Sequence, residues 1–384
     1  MRFDFATAAR IVFGPGRIRE AVSEAASIGG PILVVTGRTP ARAASMIAEL
    51  RAAKTECTPF TISGEPTIAG VLDGVRAAKE ADCRTIIGYG GGSALDGSKA
   101  IAALLSNPGD PLDYLEVVGS GKPLTRASAP CICIPTTAGT GCEVTRNAVL
   151  ASPEHRVKVS VRSPKMLPLL AVVDPDLTHS LPPSITASTG MDALTQLIEP
   201  YLSTAANPAT DALCREGIRR AARWLRPAFE DGGNGEAREN MALASLFGGL
   251  SLANAGLGAV HGLAAPLGGT IPVPHGTVCA SLLPAVIEAN LRALRARAKS
   301  SPALGRFEEI ARLLTGDPSA RAEEGIEWIY ALRSDFGIPR LSSYGLEENA
   351  LPAIAEKALK SSSMKPNPIQ LTAEELIGIL MKAI

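Results

Sequence analysis

Through the first 180 residues, short apolar runs alternate with longer segments whose apolar positions recur at helical spacing. Residues 32–36, 57–62, 85–89 and 129–134 read as strands, and 40–54, 67–81 and 96–105 as the helices between them. Alternation of this kind predicts a parallel sheet covered by helices on both faces. Residues 147–150 and 157–161 flank the polar Ser152-Pro-Glu-His-Arg156 and predict a hairpin added to that sheet. Residues 169–173 read as a last strand before Asp174-Pro175.

Past Leu181-Pro-Pro183 the pattern becomes Ala- and Leu-rich helical periodicity, with breaks expected at Pro200, Asp231-Gly-Gly, Gly268-Gly269, Pro272, Pro274 and Gly337-Ile-Pro. A chain of 384 residues exceeds what one hydrophobic core usually serves. The expected organisation is an α/β domain over residues 1–180 and an all-helical domain over 181–384, with a ligand taken in the cleft between them. Within the second domain, Asn240 to Ile287 runs 48 residues without one Asp, Glu, Lys or Arg, yet holds two of the four histidines, His261 and His275. A run this apolar is expected to be buried, and each nitrogen of a buried imidazole needs a partner. A membrane span is not expected, because Gly, Pro, Asn and His interrupt every window of about 20 residues.

Composition narrows the function classes. Lys plus Arg equals Asp plus Glu at 38 each, so nothing favours a nucleic-acid or anionic-membrane partner. Aromatic residues are only 4%, too few for a base-stacking platform. Seven cysteines include no Cys-x-x-Cys pair and read as free thiols of a reducing compartment. The N-terminal Met-Arg-Phe-Asp-Phe carries charges where a signal peptide needs its apolar run, so the cytoplasm is the expected location.

Two loops at strand ends carry candidate binding chemistry. Tyr89-Gly90-Gly91-Gly92-Ser93-Ala94-Leu95-Asp96-Gly-Ser-Lys99 joins a strand to a helix. Consecutive glycines let backbone approach an anion, and a helix start offers free N–H groups and the positive end of its dipole. A tight turn is the competing reading of the same triplet. Pro135-Thr136-Thr137-Ala-Gly-Thr140-Gly-Cys-Glu143-Val-Thr145 follows another strand and supplies hydroxyls in the same style. Two such loops suit a diphosphate flanked by sugars, which favours a dinucleotide at the carboxyl ends of the strands. After the first strong strand, where an NAD site often has a carboxylate, the chain reads Thr36-Gly37-Arg38. That turn tolerates a 2′-phosphate, although Arg38 reads equally well as a solvated turn residue.

Residues 189–199 look like an amphipathic helix with Asp192 and Gln196 one turn apart on one face. Asp192, His261 and His275 could meet in the fold with Gln196 in a fourth place, and a carboxylate with two imidazoles suits Zn or Fe(II). An isolated apolar histidine is, however, more often a hydrogen-bonded core residue than a ligand. His155, in the expected hairpin tip, and His179 have no evident partners and read as bystanders.

Taken together, these segments resemble the iron-containing, or group III, alcohol dehydrogenases over essentially the whole chain. The resemblance rests on Phe13-Gly-Pro-Gly16, Gly90-Gly-Gly-Ser93 with Asp96 and Lys99, Pro135-Thr-Thr-Ala-Gly-Thr140 with Glu143 and Thr145, and Asp174-Pro175. It continues through Gly190-Met-Asp-Ala-Leu194, Val260-His-Gly262, Pro274-His-Gly276 and Ser363-Met-Lys-Pro-Asn-Pro368. It implies a Rossmann-like dinucleotide-binding α/β domain followed by a helical domain, an architecture shared with dehydroquinate synthase, assembled as a homodimer or larger homo-oligomer. The implied activity moves a hydride between NAD or NADP and a small alcohol/aldehyde or ketone pair, assisted by a divalent metal.

Carried over to this chain, the resemblance implies that Gly91, Gly92, Ser93, Ala94, Leu95 and Asp96 cradle the pyrophosphate. Thr136, Thr137, Thr140 and Thr145 lie along the cofactor in the same reading, and Lys158 lies near the nicotinamide ribose. Asp192, His261 and His275 match metal ligands. Three positions depart from the family pattern: Gln196 stands where most members have a fourth ligand histidine, Ala265 where many have a relay histidine, and Gly37 where NAD-preferring members have aspartate. The first two departures keep a neighbouring branch in view, the maleylacetate reductases, which need no metal. A lyase of the dehydroquinate-synthase type would want Lys and Arg about the metal, and residues 240–287 offer none. A cofactor-binding protein that has lost catalysis is the remaining rival.

Overall fold

The computed structural model describes residues 2–116, 118–154 and 157–384. They divide into an α/β unit, Ala6–Thr137 with Gly141–His179, and a helical unit containing Ser180–Ile384 and Ala138–Thr140. The strands of the α/β unit are β1 (Arg10–Phe13), β2 (Ile32–Thr36), β3 (Cys57–Thr61), β4 (Thr85–Gly90), β5 (Cys131–Pro135), β6 (Asn147–Ser152), β7 (Val157–Arg162) and β8 (Leu170–Val173). Six of them form a wholly parallel sheet in the order β1-β8-β5-β4-β2-β3. Every residue of β2, β4, β5 and β8 is buried, as parallel strands covered on both faces must be. The helices of the unit are α1 (Ile18–Ile28), α2 (Ala44–Ala52), α3 (Ile68–Glu80) and α4 (Gly92–Ser106).

Two expectations need correction here. The hairpin of β6 and β7 forms its own two-stranded antiparallel sheet instead of extending the main one. The reason is visible in β6, whose Ala151 N–H donates to Pro66 O and whose Val149 N–H donates to the Asp96 carboxylate. Those bonds tie it to the starts of α3 and α4. The helix expected from Asp96 begins four residues earlier, at Gly92, because Gly91 and Gly92 form the helix start itself.

Asp174 explains two of the short motifs. Its carboxylate accepts from Gly16 N at 3.1 Å and Ile18 N at 3.0 Å, so the end of β8 caps the start of α1. Lys99, almost wholly buried on α4, does similar work for the second loop. Its Nζ donates to Cys142 O and Thr145 Oγ1, each at 2.9 Å, and to Asn147 O, and it pairs with Asp96 at 3.0 Å. Burial works to lower its pKa, but the charge and hydrogen bond of Asp96 together with Cys142 and Cys133 outweigh it, so the pKa is raised and the ammonium stays protonated.

The helical unit contains α5 (Pro183–Leu202), α6 (Pro208–Glu230), α7 (Gly235–Ala255), α8 (Ala259–Thr270) and α9 (His275–Arg297). It continues with α10 (Ala303–Thr315), α11 (Ala322–Asp335), α12 (Leu351–Leu359) and α13 (Ala373–Ala383), and no strand occurs among its described residues. The helix read as amphipathic, α5, is buried on every side from Thr186 to Leu202 except at Thr189, because α6, α7 and α9 pack around it. The expected break at Pro200 falls inside its last turn, where a missing N–H costs one bond and the helix ends two residues later. By length and composition α9 could cross a membrane, yet 89% of its apolar window is buried in this unit. That is the setting of a core helix.

Replacing Lys99 by methionine strands the Asp96 carboxylate and three loop acceptors. The expected result is a loss of about 3–5 kcal/mol in urea unfolding of the purified chain. An unchanged midpoint would show that the ammonium does not hold this loop.

Candidate functional site

The site in the helical unit is built from three buried helices. On α5, Asp192, Gln196 and Glu199 are spaced four and three residues apart, so all three lie along one face. His261 sits in the first turn of α8, and His275 opens α9, with Cys279 one turn further on the same helix. Asp192 Oδ1 lies 3.5 Å from His261 Nε2 and 3.7 Å from His275 Nε2. Cys279 Sγ lies 3.9 Å from His261 Nε2 and 3.6 Å from His275 Nε2. One donor atom from each of these four residues falls within 4.8 Å of every other.

A further layer fixes this cluster. Glu199 Oε2 accepts from His261 Nδ1 at 2.7 Å, which leaves Nε2 directed at Asp192. Its other oxygen accepts from Val260 N at 2.6 Å, while Asn367 Oδ1 accepts from Ala259 N at 3.1 Å. Together they cap α8 in place of a side chain at Gly258. Only glycine fits there, since a Cβ would stand 2.8 Å from Glu199 Oε1 and 3.0 Å from Asn367 Oδ1. Asn290 holds Asn367 in turn: Asn367 Nδ2 donates to Asn290 Oδ1 at 2.7 Å, and Asn290 Nδ2 donates to Asn367 Oδ1 at 3.2 Å.

The electrostatics call for positive charge at the centre. Burial opposes ionisation of Asp192, but the two histidines outweigh it and lower its pKa. Burial likewise opposes charge on His261, and Cys279, Asp192 and Glu199 overcome it and raise its pKa. Cys279 first, then Asp192 against the opposing burial, pushes His275 up to about 9. Asp192 Oδ1 and Gln196 Oε1 are nevertheless buried with no hydrogen-bond partner. An orphaned carboxylate oxygen facing two imidazoles and a thiol, and a buried amide oxygen one turn away, suit a divalent cation. The donor set fits one.

The α/β unit carries the candidate cofactor residues. Thr136 N donates to Gly90 O at 2.9 Å, which joins the two loops at the ends of β4 and β5. A Cβ at Gly90 would lie 2.7 Å from Ala94 Cβ and 3.4 Å from Gly37 N, and one at Gly91 would lie 3.3 Å from Thr137 Cγ2. Gly37, Gly90, Gly91, Ala94, Thr136 and Thr137 are therefore neighbours. Ser93 stands in the first turn of α4, whose cap Gly91 contributes no side-chain acceptor, while Leu95 is buried. Asp96 is spent on Lys99 and the β6 backbone, and the Thr145 hydroxyl on Lys99. Thr140 groups with the helical unit. Lys158 pairs with Glu65 at 2.9 Å, and Arg38 is exposed. In the second loop, burial raises the pKa of Glu143 to about 7.

Sequence reasoning did not assign Cys279, Glu199 or Asn367 to the site. A signal existed for the first two: Cys279 is four residues from His275, and Glu199 seven from Asp192, both spacings that keep a helical face. Ala265 is one turn beyond His261, half-buried and without a titratable group. His179 lies in the α/β unit, 4.0 Å from Asp176, and takes no part in the cluster. His155 lies outside the described residues.

Similarity to alcohol dehydrogenases and propanediol oxidoreductases makes the chain an oxidoreductase acting on CH–OH groups. Comparison with known proteins gives the family. Residues 8–175 match the profile of the iron-containing alcohol dehydrogenases, and residues 186–384 that of the Fe-containing alcohol dehydrogenase family, C-terminal. Alcohol dehydrogenase 4 of Saccharomyces cerevisiae is 39% identical over 319 residues, 83% of this chain and 80% of that one. The 1,3-propanediol dehydrogenase of Citrobacter freundii is 35% identical over 394 residues, 99% of this chain and 98% of that one. Among solved structures, a 1,3-propanediol oxidoreductase superposes with TM-score 0.92 at 35% identity, covering 100% of both chains. A sulfoacetaldehyde reductase from Bifidobacterium kashiwanohense in complex with NAD+ gives 0.87 at 29% identity, covering 100% of this chain and 99% of the other. The chain belongs to the iron-containing alcohol dehydrogenase family. The comparisons favour neither the maleylacetate-reductase nor the lyase reading.

If Glu199 orients His261 for a metal, Glu199→Gln lowers divalent-metal affinity about 10–100-fold in competition with a chelator. Undiminished affinity would reduce Glu199 to a cap for α8.

Proposed function

We propose that the chain transfers a hydride between NADP(H) and a small, uncharged primary or secondary alcohol and its aldehyde or ketone, with Asp192, His261 and His275 holding a divalent metal. The observation that carries this reading is the Asp192 Oδ1, buried without a hydrogen-bond partner between two imidazoles. A divalent cation there supplies Lewis acidity at the substrate oxygen, and the nicotinamide supplies hydride donor or acceptor capacity.

The chain's own residues do the rest. Glu199 holds the Nδ1 proton of His261, which keeps Nε2 and its lone pair turned inward. The charge-free run from Asn240 to Ile287, which takes in α7 beyond its first turns, all of α8 and the first half of α9, offers a charged substrate no partner. Ala265 supplies no imidazole, so the alcohol proton leaves by another group.

In the α/β unit, Gly91 and the first N–H groups of α4 are proposed to take the pyrophosphate, with Thr136 and Thr137 beside it. Lys158 is proposed to reach the nicotinamide ribose, in competition with Glu65. The preference for the 2′-phosphate rests on Gly37. A Cβ there would meet nothing within 4 Å, so packing does not demand glycine, and the exposed Arg38 stands next to the open space. All seven cysteines are free, in keeping with a reducing cytoplasm. A homodimer or larger homo-oligomer is the assembly we propose.

Two measurements test this reading. Steady-state reduction of a short aldehyde is expected to run at least as fast with NADPH as with NADH, and strict NADH use would contradict the role given to Gly37 and Arg38. Asp192→Ala should lower kcat/KM about 1,000-fold or more, the scale of a lost Lewis acid. Activity retained by that variant would remove the metal from the mechanism.

A further inference from the structure

Gln196 leaves the metal site short of a strong ligand, and the structure offers a replacement from a different helix. We propose that the Cys279 thiolate takes the vacant place, so that the site binds through one carboxylate oxygen, two imidazoles and one sulfur and selects zinc over iron. The inference rests on the metal role proposed above and extends it to one residue and to the identity of the ion.

The distances carry it. Four ligands held at about 2.0–2.3 Å from one ion in a tetrahedron stand about 3.3–3.6 Å from each other. The measured gaps are 3.5 Å and 3.7 Å from Asp192 Oδ1 to the two imidazoles, and 3.9 Å and 3.6 Å from Cys279 Sγ to the same two nitrogens. Four edges of the figure are thus within a few tenths of an ångström of a tetrahedron, and the remaining pairs fall within 4.8 Å. Cys279 is wholly buried, its helical position one turn past His275 turns it to the same side, and both nitrogens it faces belong to the cluster. The unpartnered, almost wholly buried Asp192 Oδ1 points into the same space and independently calls for a cation.

The consequence is chemical. An amide oxygen is a weak, neutral ligand, whereas a thiolate is anionic and soft. Replacing the fourth imidazole by a thiolate moves the set toward zinc, and cobalt as its spectroscopic stand-in, and away from Fe(II).

The test uses the full-length chain stripped with chelator and reloaded with Co(II). The expected spectrum of the wild-type protein shows an intense near-ultraviolet thiolate-to-cobalt charge-transfer band at a stoichiometric cobalt content, and Cys279→Ser loses the band. Zinc affinity in that variant falls by more than about 100-fold, beyond the loss typical of an outer-layer partner, and the preference for zinc over Fe(II) narrows with it. Stoichiometric cobalt without the band in the wild-type chain overturns the assignment of Cys279 while leaving the metal itself in place. A band that survives in Cys279→Ser overturns it equally. Failure to bind any divalent ion overturns both this inference and the metal reading beneath it. The wild-type spectrum decides the question even if the serine variant does not fold.

Discussion

A carboxylate oxygen without a hydrogen-bond donor, buried in an apolar core, is costly unless positive charge comes to it. That constraint organises the helical unit. Asp192 stands on the most buried helix of the chain, and two imidazoles face its oxygen beside the Cys279 sulfur, while Glu199 and Asn367 hold His261 and the start of α8 in place. Glu199 acts twice, fixing the tautomer of His261 with one oxygen and capping α8 with the other. The residue that orients a proposed ligand also holds the helix that carries it.

The α/β unit solves its own version of this problem with a lysine. Lys99 is as deeply buried as the apolar core and is satisfied by Asp96 and three acceptors of the second loop. It spends Asp96 on structure, since that side chain also holds the β6 backbone. The glycines at 90 and 91 pack closely against Ala94 and Thr137, and the loop that carries Thr145 is held by the same ion pair.

Much of the fold could be read from the chain because its strands are apolar runs bounded by turn residues. Residues 32–36 and 85–89 appear as β2 and β4 to within a residue. Pattern alone gives the hairpin its antiparallel pairing and not its anchor, which is the Asp96 side chain and the Pro66 carbonyl. The pattern places the start of α4 late because glycine counts against helix by propensity, although here it makes the helix end. At the site, the charge-free run drew attention to His261 and His275, and the structure brings both beside Asp192. Cys279 reads from the sequence only as one of seven free thiols. Its spacing from His275 gains meaning once α9 is known to begin at His275, a boundary obscured by Pro272 and Pro274.

The central claim is that the Asp192 cluster holds a divalent ion on which catalysis depends. Elemental analysis of protein purified without chelator, followed by alcohol oxidation assays before and after metal removal, tests it most directly. The account predicts a stoichiometric divalent metal and activity that is lost on removal and restored by the ion. Full alcohol oxidation by a metal-free chain would contradict it.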